Sequence, residues 1–582
     1  MDKRWSRTIG DSGIESRRWL GLRLVTALAA LASILLRIGW REPIVPEGAL
    51  TAVEWLALLV YAGSLIVERR LAHRPIVELP RARPVEVALL TLAVLLAWLP
   101  PAVTVIVAVL ALYQLLTLYL GLVARSPSPS WVFAGTFASL IIAGTLALKL
   151  PVATPPEAPI HVVDALFTAT SAVCVTGLTV RDTGTEFTRA GQTIILVLIQ
   201  LGGLGIVIFG ALLALAMGSS MGLRVSRTIA DSTAEGHARP TTVRTLVAFI
   251  AAATIALELI GAIVLFFGWP RVWEGAPDLT TLPSRAFHAL FFSVSAFCNA
   301  GFATTAGSLE GLRFHWTSQI VIAGLIVIGG LGFPALGNLR AVGVARLRGR
   351  RLQSGALVRL NLHTKLVLLT TLALYLAGAS AIFLGRMTQG GESVFGAALD
   401  GHFMSITART AGFDTITPGS MGPLGRLALI TFMFIGGSPG STAGGVKTIA
   451  FAIIALTIWA TIRGKPTTEA FGRTIPESLV RRAATLITLG AGTIATLTLV
   501  LALTDGQGRL LGDLLFEVVS ASSTVGLTTG ITPGLSDAGR LVLVVAMFLG
   551  RVGPLVILVA LAAVGRRAGP ARAYPSETVV MS

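Results

Sequence analysis

Four short segments, each ending in glycine, recur at nearly even spacing along the chain. Each consists of small, weakly polar residues, is followed by leucine or phenylalanine, and lies between long apolar runs. The glycines are Gly177, Gly301, Gly412 and Gly526, so the intervals between them are 124, 111 and 114 residues. A repeat this regular predicts a fold built from four equivalent units.

Apolar runs occupy most of the 582-residue chain, of which 54% is hydrophobic and only 13% is charged. The mean hydropathy is +0.79, and the run 87–124 contains no acidic or basic side chain. A helix that crosses a hydrocarbon layer of ~30 Å needs about 20 such residues, whereas a soluble core has no use for so many runs of that length. The chain is therefore predicted to be an all-α, multi-pass membrane protein surrounded by lipid.

The distribution of the net charge of +17 along the chain indicates which loops face the cytoplasm. Most lysine and arginine residues fall in the arm 1–23 and in loops that alternate with the more acidic loops 151–165, 386–402 and 527–539. Cytoplasmic loops of membrane proteins carry such a basic excess. The pattern predicts a membrane protein with both termini in the cytoplasm, and it removes the reason to expect a nucleic-acid partner.

The order of the apolar runs predicts an N-terminal extension and four repeats. The extension, 1–125, is predicted to hold four spans, because Pro100-Pro101 would break the run 87–124 into two helices. Each repeat is predicted to contain a span, a short re-entrant helix and a second span. The repeats are 126–216, 245–340, 362–465 and 480–565, followed by a cytoplasmic tail, 566–582. The re-entrant helices are predicted at 164–176, 286–299, 397–409 and 512–524, and the second spans at 191–215, 318–338, 425–459 and 540–564.

The glycine segments predict the lining of one pore. Non-helical backbone at membrane depth is tolerated where it lines a water-filled cavity or is buried in protein. Around a common axis, backbone carbonyls can replace the hydration shell of a cation, and glycine takes the positive φ that this requires without steric cost. Ordinary glycine-containing loops are the alternative. The predicted selectivity-filter residues, which would bind K⁺, are Val175, Thr176, Gly177, Asn299, Ala300, Gly301, Thr410, Ala411, Gly412, Thr524, Val525 and Gly526.

A glycine-rich stretch interrupts the second span of the third repeat. The stretch comprises Gly436, Gly437, Ser438, Pro439, Gly440, Ser441, Thr442, Ala443, Gly444 and Gly445. It cannot remain regular helix, because each interior glycine costs about 1 kcal/mol and proline about 3 kcal/mol. Small polar residues at this depth indicate a loop that faces water beneath the filter, although a kink that only packs against neighbouring helices is the alternative.

From residue 127 onward the sequence resembles the Trk/Ktr/HKT superfamily of cation transporters, and the bacterial Ktr-type membrane subunits most closely. Besides the filters, the resemblance rests on the segments that begin at Gln200 (QLGGLG), Ile328 (IGGLGFP), Gly436 (GGSPGSTAGGVK) and Gly550 (GRVGPL). The four N-terminal spans depart from the family pattern. A packing or assembly role is the default expectation for them, because no span carries the regular arginine spacing of a voltage sensor.

The resemblance implies a K⁺ uptake function, with the stretch 436–445 as an intramembrane gate. It also implies a homodimer with one pore per protomer and a cytoplasmic ring of regulatory subunits. A nucleotide, ATP/ADP or NAD, is expected on those partner subunits only. The tail 574–581 is expected near the dimer interface or the ring. Glycine at all four filter positions favours K⁺ over Na⁺, since a serine replaces the first glycine in Na⁺-preferring relatives. One glycine per repeat predicts imperfect exclusion of Na⁺, so a Na⁺-permeable or Na⁺-coupled transporter remains an alternative.

Several ionisable residues fall inside apolar segments and need partners. Arg551 is predicted to bond carbonyls of the stretch 436–445 and hold the gate closed, while Lys447 either lines the cytoplasmic vestibule or snorkels. For Glu258, a structural hydrogen bond to a neighbouring helix is expected, with a coupling site as the alternative. Glu517 is expected to anchor the fourth re-entrant helix, and Arg409 to brace the third filter.

Acidic residues outside the filter are candidates for concentrating cations at the pore mouth. They are Asp164, Asp182, Glu186, Asp400, Asp414, Asp505 and Asp513. Cys174 and Cys298, at matching positions in two repeats, are predicted to be small packing residues.

Two other classes of function fit the sequence less well than a pore. A secondary transporter with alternating access would require paired broken helices in both halves, and only the break at 436–445 is evident in the sequence. A membrane enzyme would require clustered catalytic residues, and the 7 histidines are scattered.

Overall fold

The computed structural model describes residues 15–40, 44–71, 75–125, 129–216, 243–270, 279–349 and 359–553. Within these ranges the chain is almost entirely helical, and its strands form one small hairpin, Glu469–Ala470 paired with Arg473–Thr474. The tail 566–582, including the predicted contact segment 574–581, lies outside the described residues, as do the basic loop 217–242 and most of the arm 1–23.

The N-terminal helices pack around an apolar cluster of their own that includes Tyr61, Leu65 and Val107. Their bounds are Glu15–Ile38, Glu47–Leu71, Leu79–Ala82, Pro84–Leu95 and Pro100–Arg125. The break before Pro100 confirms the predicted division of the run 87–124. The helix Pro84–Leu95 has 12 residues, about 18 Å at 1.5 Å per residue, which is shorter than the hydrocarbon layer. The number of N-terminal spans therefore stays a prediction.

The rest of the described chain repeats one order of elements four times: a first helix, a short helix and a second helix. The first helices are Pro129–Leu148, Val243–Gly268, Leu362–Gln389 and Glu477–Asp505. The short helices are Val162–Cys174, Leu282–Cys298, Val394–Thr407 and Leu511–Ser522. The second helices begin with Arg189–Ala216, Trp316–Leu331, Pro423–Phe434 and Asp537–Val552. The short helices overlap the four segments that the sequence marked as too short to cross a membrane.

The four repeats pack in a closed ring. In every case the second helix of one repeat contacts the short helix of the next, and the second helix of the fourth repeat contacts the short helix of the first. The core at the centre of the ring is made from all four short helices, with Phe167, Phe291, Phe403 and Phe516 fully buried.

The second helix of repeat 2 differs from the prediction of one span over 318–338. It bends by 101° between Trp316–Leu331 and Phe333–Leu347, with Gly332 at a φ of 85°. The backbone at the break bonds outside its own helix: the Phe333 N–H donates to the Gly440 carbonyl at 3.0 Å. The expectation of a single break, at 436–445, is therefore wrong. The two breaks meet and satisfy each other's backbone groups.

The second helix of repeat 3 is interrupted where the sequence predicts it. Pro423–Phe434 ends before the glycine-rich stretch, and Thr448–Ile462 begins after it. We call residues 435–447 the intramembrane loop. Among the described residues, four helices are long and apolar enough to cross a membrane, and the bent pair in repeat 2 would make a fifth.

Candidate ion pathway

The four repeat glycines lie against one another in cyclic order. A Cβ atom built on Gly177 would lie 3.0 Å from the Cα of Gly301, and one built on Gly301 would lie 2.8 Å from the Cα of Gly412. Likewise, a Cβ atom on Gly412 would lie 3.2 Å from the Cα of Gly526, and one on Gly526 would lie 3.0 Å from the Cα of Gly177. Segments separated by more than 100 residues in sequence thus form one ring, which we call the glycine ring.

The backbone of the glycine ring leaves no room for side chains. A Cβ on each glycine would collide with the carbonyl oxygen of the residue before the next glycine, namely Ala300, Ala411, Val525 and Thr176 in turn. The glycines also have φ values of 90°, 70°, 83° and 96°, in the region that residues with a Cβ avoid. Two independent constraints therefore favour glycine at these four positions.

A second left-handed residue precedes each glycine by two positions. Val175, Asn299, Thr410 and Thr524 have φ values of 57°, 60°, 76° and 51°, and all four are buried. This conformation is unfavourable for β-branched side chains, and such strain persists only where surrounding contacts impose it. The same conformation in all four repeats indicates one shared backbone geometry.

Serine residues at the start of three motifs hold this backbone, a role that the sequence analysis missed. The N–H groups of Gly177 and Gly526 donate to Ser171 Oγ and Ser520 Oγ, both at 3.1 Å. Ser295 Oγ donates to the Phe302 carbonyl at 2.8 Å. The recurrence of serine six residues before three of the glycines was the available signal.

The flanks of the glycine ring are packed and anchored. The residues after the glycines, Leu178, Phe302, Phe413 and Leu527, are almost completely buried. Glu517 in the fourth short helix accepts hydrogen bonds from Thr528 Oγ1 at 2.8 Å, from the Thr529 N–H at 2.8 Å and from Thr532 Oγ1 at 2.6 Å. Glu517 therefore ties the outer loop of repeat 4 to its short helix, as its expected anchoring role requires.

The intramembrane loop lies directly against the glycine segments of repeats 2 and 4. Asn299 Nδ2 donates to Thr442 Oγ1 at 2.9 Å, and a Cβ on Gly444 would collide with the Thr524 hydroxyl. The loop is held from the side by the second helix of repeat 2, because the Ser438 and Thr442 N–H groups donate to the carbonyls of Gly330 and Gly329 at 3.0 and 3.4 Å.

Arg551 is buried and joins the loop to two repeats. Its guanidinium donates to the Thr442 carbonyl at 2.6 Å and to the Gly202 carbonyl at 3.0 Å. Lys447 Nζ donates to the Ala443 carbonyl at 2.7 Å, so it bonds within the loop. Hydrogen bonds to several carbonyls are what a buried cation requires. The gating role of Arg551 stays a prediction.

Glu258 has the structural hydrogen bonds that were expected of it. Its carboxylate accepts from Gln200 Nε2 at 3.2 Å, and Cys298 Sγ lies 3.7 Å away. Both cysteines are buried and free.

Arg409 does not brace the third filter as predicted. No hydrogen bond joins its guanidinium to another part of the described chain, and its Nε is buried without a partner. The side chain instead faces a small cavity that Gly437 and Thr448 of the loop region also line.

Four of the acidic residues predicted to attract cations are instead paired with arginine. Asp164, Asp400, Asp505 and Asp513 each form at least one ion pair. Their charges are neutralised, so the prediction is wrong for them. Asp182, Glu186 and Asp414 have no ion pair with a described residue. Burial, followed by the nearby Glu310 charge, raises the pKa of Asp414 to about 7.

Three of these acids and one histidine form contacts between consecutive repeats that the sequence analysis missed. An arginine at or near the start of each second helix bonds a residue of the next short helix, and we call the four contacts the repeat clamps. They are Arg189–His288 at 2.9 Å, Arg313–Asp400 at 2.7 Å, Arg426–Asp513 at 2.9 Å and Arg540–Asp164 at 2.6 Å. In sequence, each arginine follows its glycine by 12–14 residues, and each partner precedes its glycine by 12 or 13. That spacing was a signal.

Known proteins match most of this chain. Residues 133–565 match TrkH, a family of cation transport proteins. The chain is 34% identical over 476 residues to the potassium/sodium uptake protein NtpJ of Enterococcus hirae, a match that covers 79% of this chain and 98% of that protein. It is 33% identical over 451 residues to the Ktr system potassium uptake protein B of Vibrio alginolyticus, which covers 76% of this chain and 93% of the relative.

The fold is also found among solved structures. The crystal structure of the potassium transporter TrkH from Vibrio parahaemolyticus matches with a TM-score of 0.59 over 93% of this chain and 98% of that chain, at 17% identity. The sequence matches confirm the resemblance and the prediction of a membrane transporter rather than an enzyme. The chain belongs to the TrkH family of cation transport proteins.

Proposed function

We propose that the chain takes up K⁺ across the cytoplasmic membrane and that the glycine ring is its selectivity filter. The closed order of contacts from Gly177 through Gly301, Gly412 and Gly526 back to Gly177 carries this proposal. Four equivalent segments of strained, non-helical backbone around one axis provide carbonyl oxygens that can replace the hydration shell of a cation. The relatives from Vibrio alginolyticus and Enterococcus hirae are a potassium and a potassium/sodium uptake protein, which supports the choice of ion.

The intramembrane loop is the gate of this pathway. Its residues Thr442 and Gly444 contact Asn299 and Thr524 at one end of the glycine segments, where they obstruct the path of an ion. Arg551 holds the loop in this position through the Thr442 carbonyl. Displacement of residues 436–445 would open the pathway.

The family resemblance supports a homodimer with one pathway per protomer, controlled by a cytoplasmic ring of nucleotide-binding subunits. The ring subunits, rather than this chain, would bind ATP/ADP or NAD. Na⁺ is the second candidate ion, either permeating or coupled, because each repeat contributes a single glycine to the filter.

Alternating access is the second candidate mechanism, because breaks are present in repeats 2 and 3, one in each half of the fourfold core. Paired broken helices are typical of such transporters. However, the two breaks contact each other through Phe333 and Gly440 rather than forming two half-sites. The contacts of the intramembrane loop with the glycine segments favour a gated pore.

Ion flux into liposomes that hold the purified chain tests the filter. Gly177→Ser should reduce the K⁺/Na⁺ flux ratio, because the new side chain meets the Ala300 carbonyl and φ is positive. Gly324→Ser is the matched control, since a Cβ at Gly324 meets nothing within 4 Å. An unchanged ratio in folded Gly177→Ser protein would overturn the assignment of the filter.

A further inference from the structure

Arg409 is a buried cation that nothing in the described chain compensates. The residue is only 9% exposed, its Nε is buried without a partner, and no carboxylate of a described residue pairs with it. The other buried cations of this region, Lys447 and Arg551, donate to backbone carbonyls. Because a buried charge is costly unless it is paired or hydrogen-bonded, the Arg409 guanidinium indicates a ligand from outside the chain.

The guanidinium faces a small cavity that lies beside the intramembrane loop. Thr371 and Thr448 also line this cavity, together with Gly437 of the loop. Thr448 Oγ1 is buried and has no hydrogen-bond partner among the described residues. The other described residues around the cavity are aliphatic or glycine, and none of them is acidic. Two unsatisfied polar groups from separate segments therefore meet at one cavity, and both can donate a hydrogen bond.

The start of a helix adds positive electrostatic potential to the same place. Thr448 is the first residue of a 15-residue helix that ends at Ile462, and no side chain caps its N-terminus. The Thr448 N–H itself donates to the Gly437 carbonyl at 3.0 Å, but the helix as a whole places about half a positive charge at this end. Such an end favours anions. Guanidinium, hydroxyl and helix N-terminus thus all favour a ligand of negative charge.

We infer that this cavity binds a small inorganic anion, which the Arg409 guanidinium and the Thr448 hydroxyl hold by hydrogen bonds. The volume of the cavity, about 20 Å³, limits the size of the ligand, since about 10–15 Å³ admits one water molecule. A halide such as chloride fits this space, whereas polyatomic phosphate does not. The anion compensates the buried charge of Arg409. K⁺ uptake as proposed above does not require this site.

A bound anion would join two segments that the fold brings together here. Arg409 lies two residues after the short helix of repeat 3 ends at Thr407, and Thr448 directly follows the intramembrane loop. A ligand that both residues hold strengthens the contact between these segments in the folded chain. Because such a ligand binds the folded chain in preference to the unfolded one, its concentration should raise the stability of the protein.

Thermal unfolding of the purified full chain in detergent tests the inference, with chloride replacing gluconate at constant K⁺ concentration and ionic strength. We expect the melting temperature of the wild type to rise with chloride concentration. Arg409→Gln should abolish this rise, because the variant lacks the charge that the anion compensates. Thr448→Val removes the hydroxyl and should raise the dissociation constant for chloride about fivefold, the ratio that corresponds to one ordinary hydrogen bond.

Ser441→Ala is the matched control for the lost hydroxyl. Ser441 belongs to the same loop but donates to the Ser438 carbonyl, so its replacement should leave the response to chloride unchanged. An equal rise in melting temperature for the wild type and Arg409→Gln would indicate a general effect of salt and would overturn the inference.

Crystals of the wild type soaked in bromide provide a readout that does not depend on the folding of a variant. We expect an anomalous peak in the cavity, within hydrogen-bond distance of both the Arg409 guanidinium and Thr448 Oγ1. Water in the cavity without bromide, or an Arg409 guanidinium bonded to backbone carbonyls instead, would overturn the anion site.

Discussion

Replacement of Arg551 by glutamine should favour the open pathway. The guanidinium donates to the Thr442 carbonyl at 2.6 Å and to the Gly202 carbonyl at 3.0 Å. Gly202 belongs to the second helix of repeat 1, whereas Thr442 belongs to the loop that must move. Only the Thr442 bond therefore distinguishes the closed from the open arrangement.

The magnitude follows from that one bond. A hydrogen bond from a charged donor contributes about 1.5–3 kcal/mol, so its loss should shift the ratio of closed to open protein by about 10- to 150-fold. Removing a buried charge also relieves a desolvation cost, but that relief applies to both states if the arginine remains at its present depth. The shift in the equilibrium is thus governed by the Thr442 contact.

Open probability in planar bilayers is the assay, with Rb⁺ or K⁺ as the permeant ion. Lys447→Gln is a useful comparison, because Lys447 bonds Ala443 within the loop and does not join the loop to another repeat. We expect a large rise in open probability for Arg551→Gln and a smaller change for Lys447→Gln. An unchanged or lower open probability in folded Arg551→Gln protein would refute the role of this residue as a latch.

The remaining predictions concern the repeat clamps and the buried acids. Asp400→Asn should lower the free energy of unfolding by about 1.5–3 kcal/mol, because Arg313 and Arg386 lose a buried charged acceptor and are left to share Glu392. Asp537→Asn, on an exposed pair, should change it by less than about 1 kcal/mol. Equal melting temperatures of the two variants in detergent would contradict the clamp. Burial raises the pKa of Asp414 to about 7, so its negative charge is present above that pH and is lost as the external pH falls through it. The apparent affinity for K⁺ should therefore fall over the same pH range. Asp414→Asn should abolish this pH dependence of the affinity. Glu258→Gln should leave K⁺ flux and its pH dependence unchanged if Glu258 is a structural acceptor for Gln200; loss of a proton-coupled component would show that it is a coupling site.

The sequence predicted features that depend on local chemistry. The glycine motifs, the interruption at 436–445 and the break before Pro100 all follow from residues that cannot adopt regular helix at those positions. The bend at Gly332 was missed although Gly329, Gly330, Gly332 and Pro334 were a local signal for it. What no local pattern could show is where the freed backbone bonds, because the acceptor for the Phe333 N–H is Gly440, more than 100 positions away.

Charge pairing was the least predictable feature for the same reason. Asp164 and Arg540 are 376 residues apart in sequence, and no local pattern places them in contact. Their matching distances from the repeat glycines were visible, but they indicate a contact only once the repeats are known to close into a ring. Arg409, which occupies the position of Cys174, Cys298 and Ser523 in the other repeats, shows that equivalent positions need not have equivalent contacts.

The position of bound cations decides whether the glycine ring is the ion pathway. Crystals of the purified chain soaked in Rb⁺ or Tl⁺ would reveal those ions by their anomalous scattering. Peaks are expected on the axis of the glycine ring, surrounded by the carbonyls of Thr176, Ala300, Ala411 and Val525. Ordered ions found only elsewhere, for example beside Glu258, with none on that axis, would contradict this assignment.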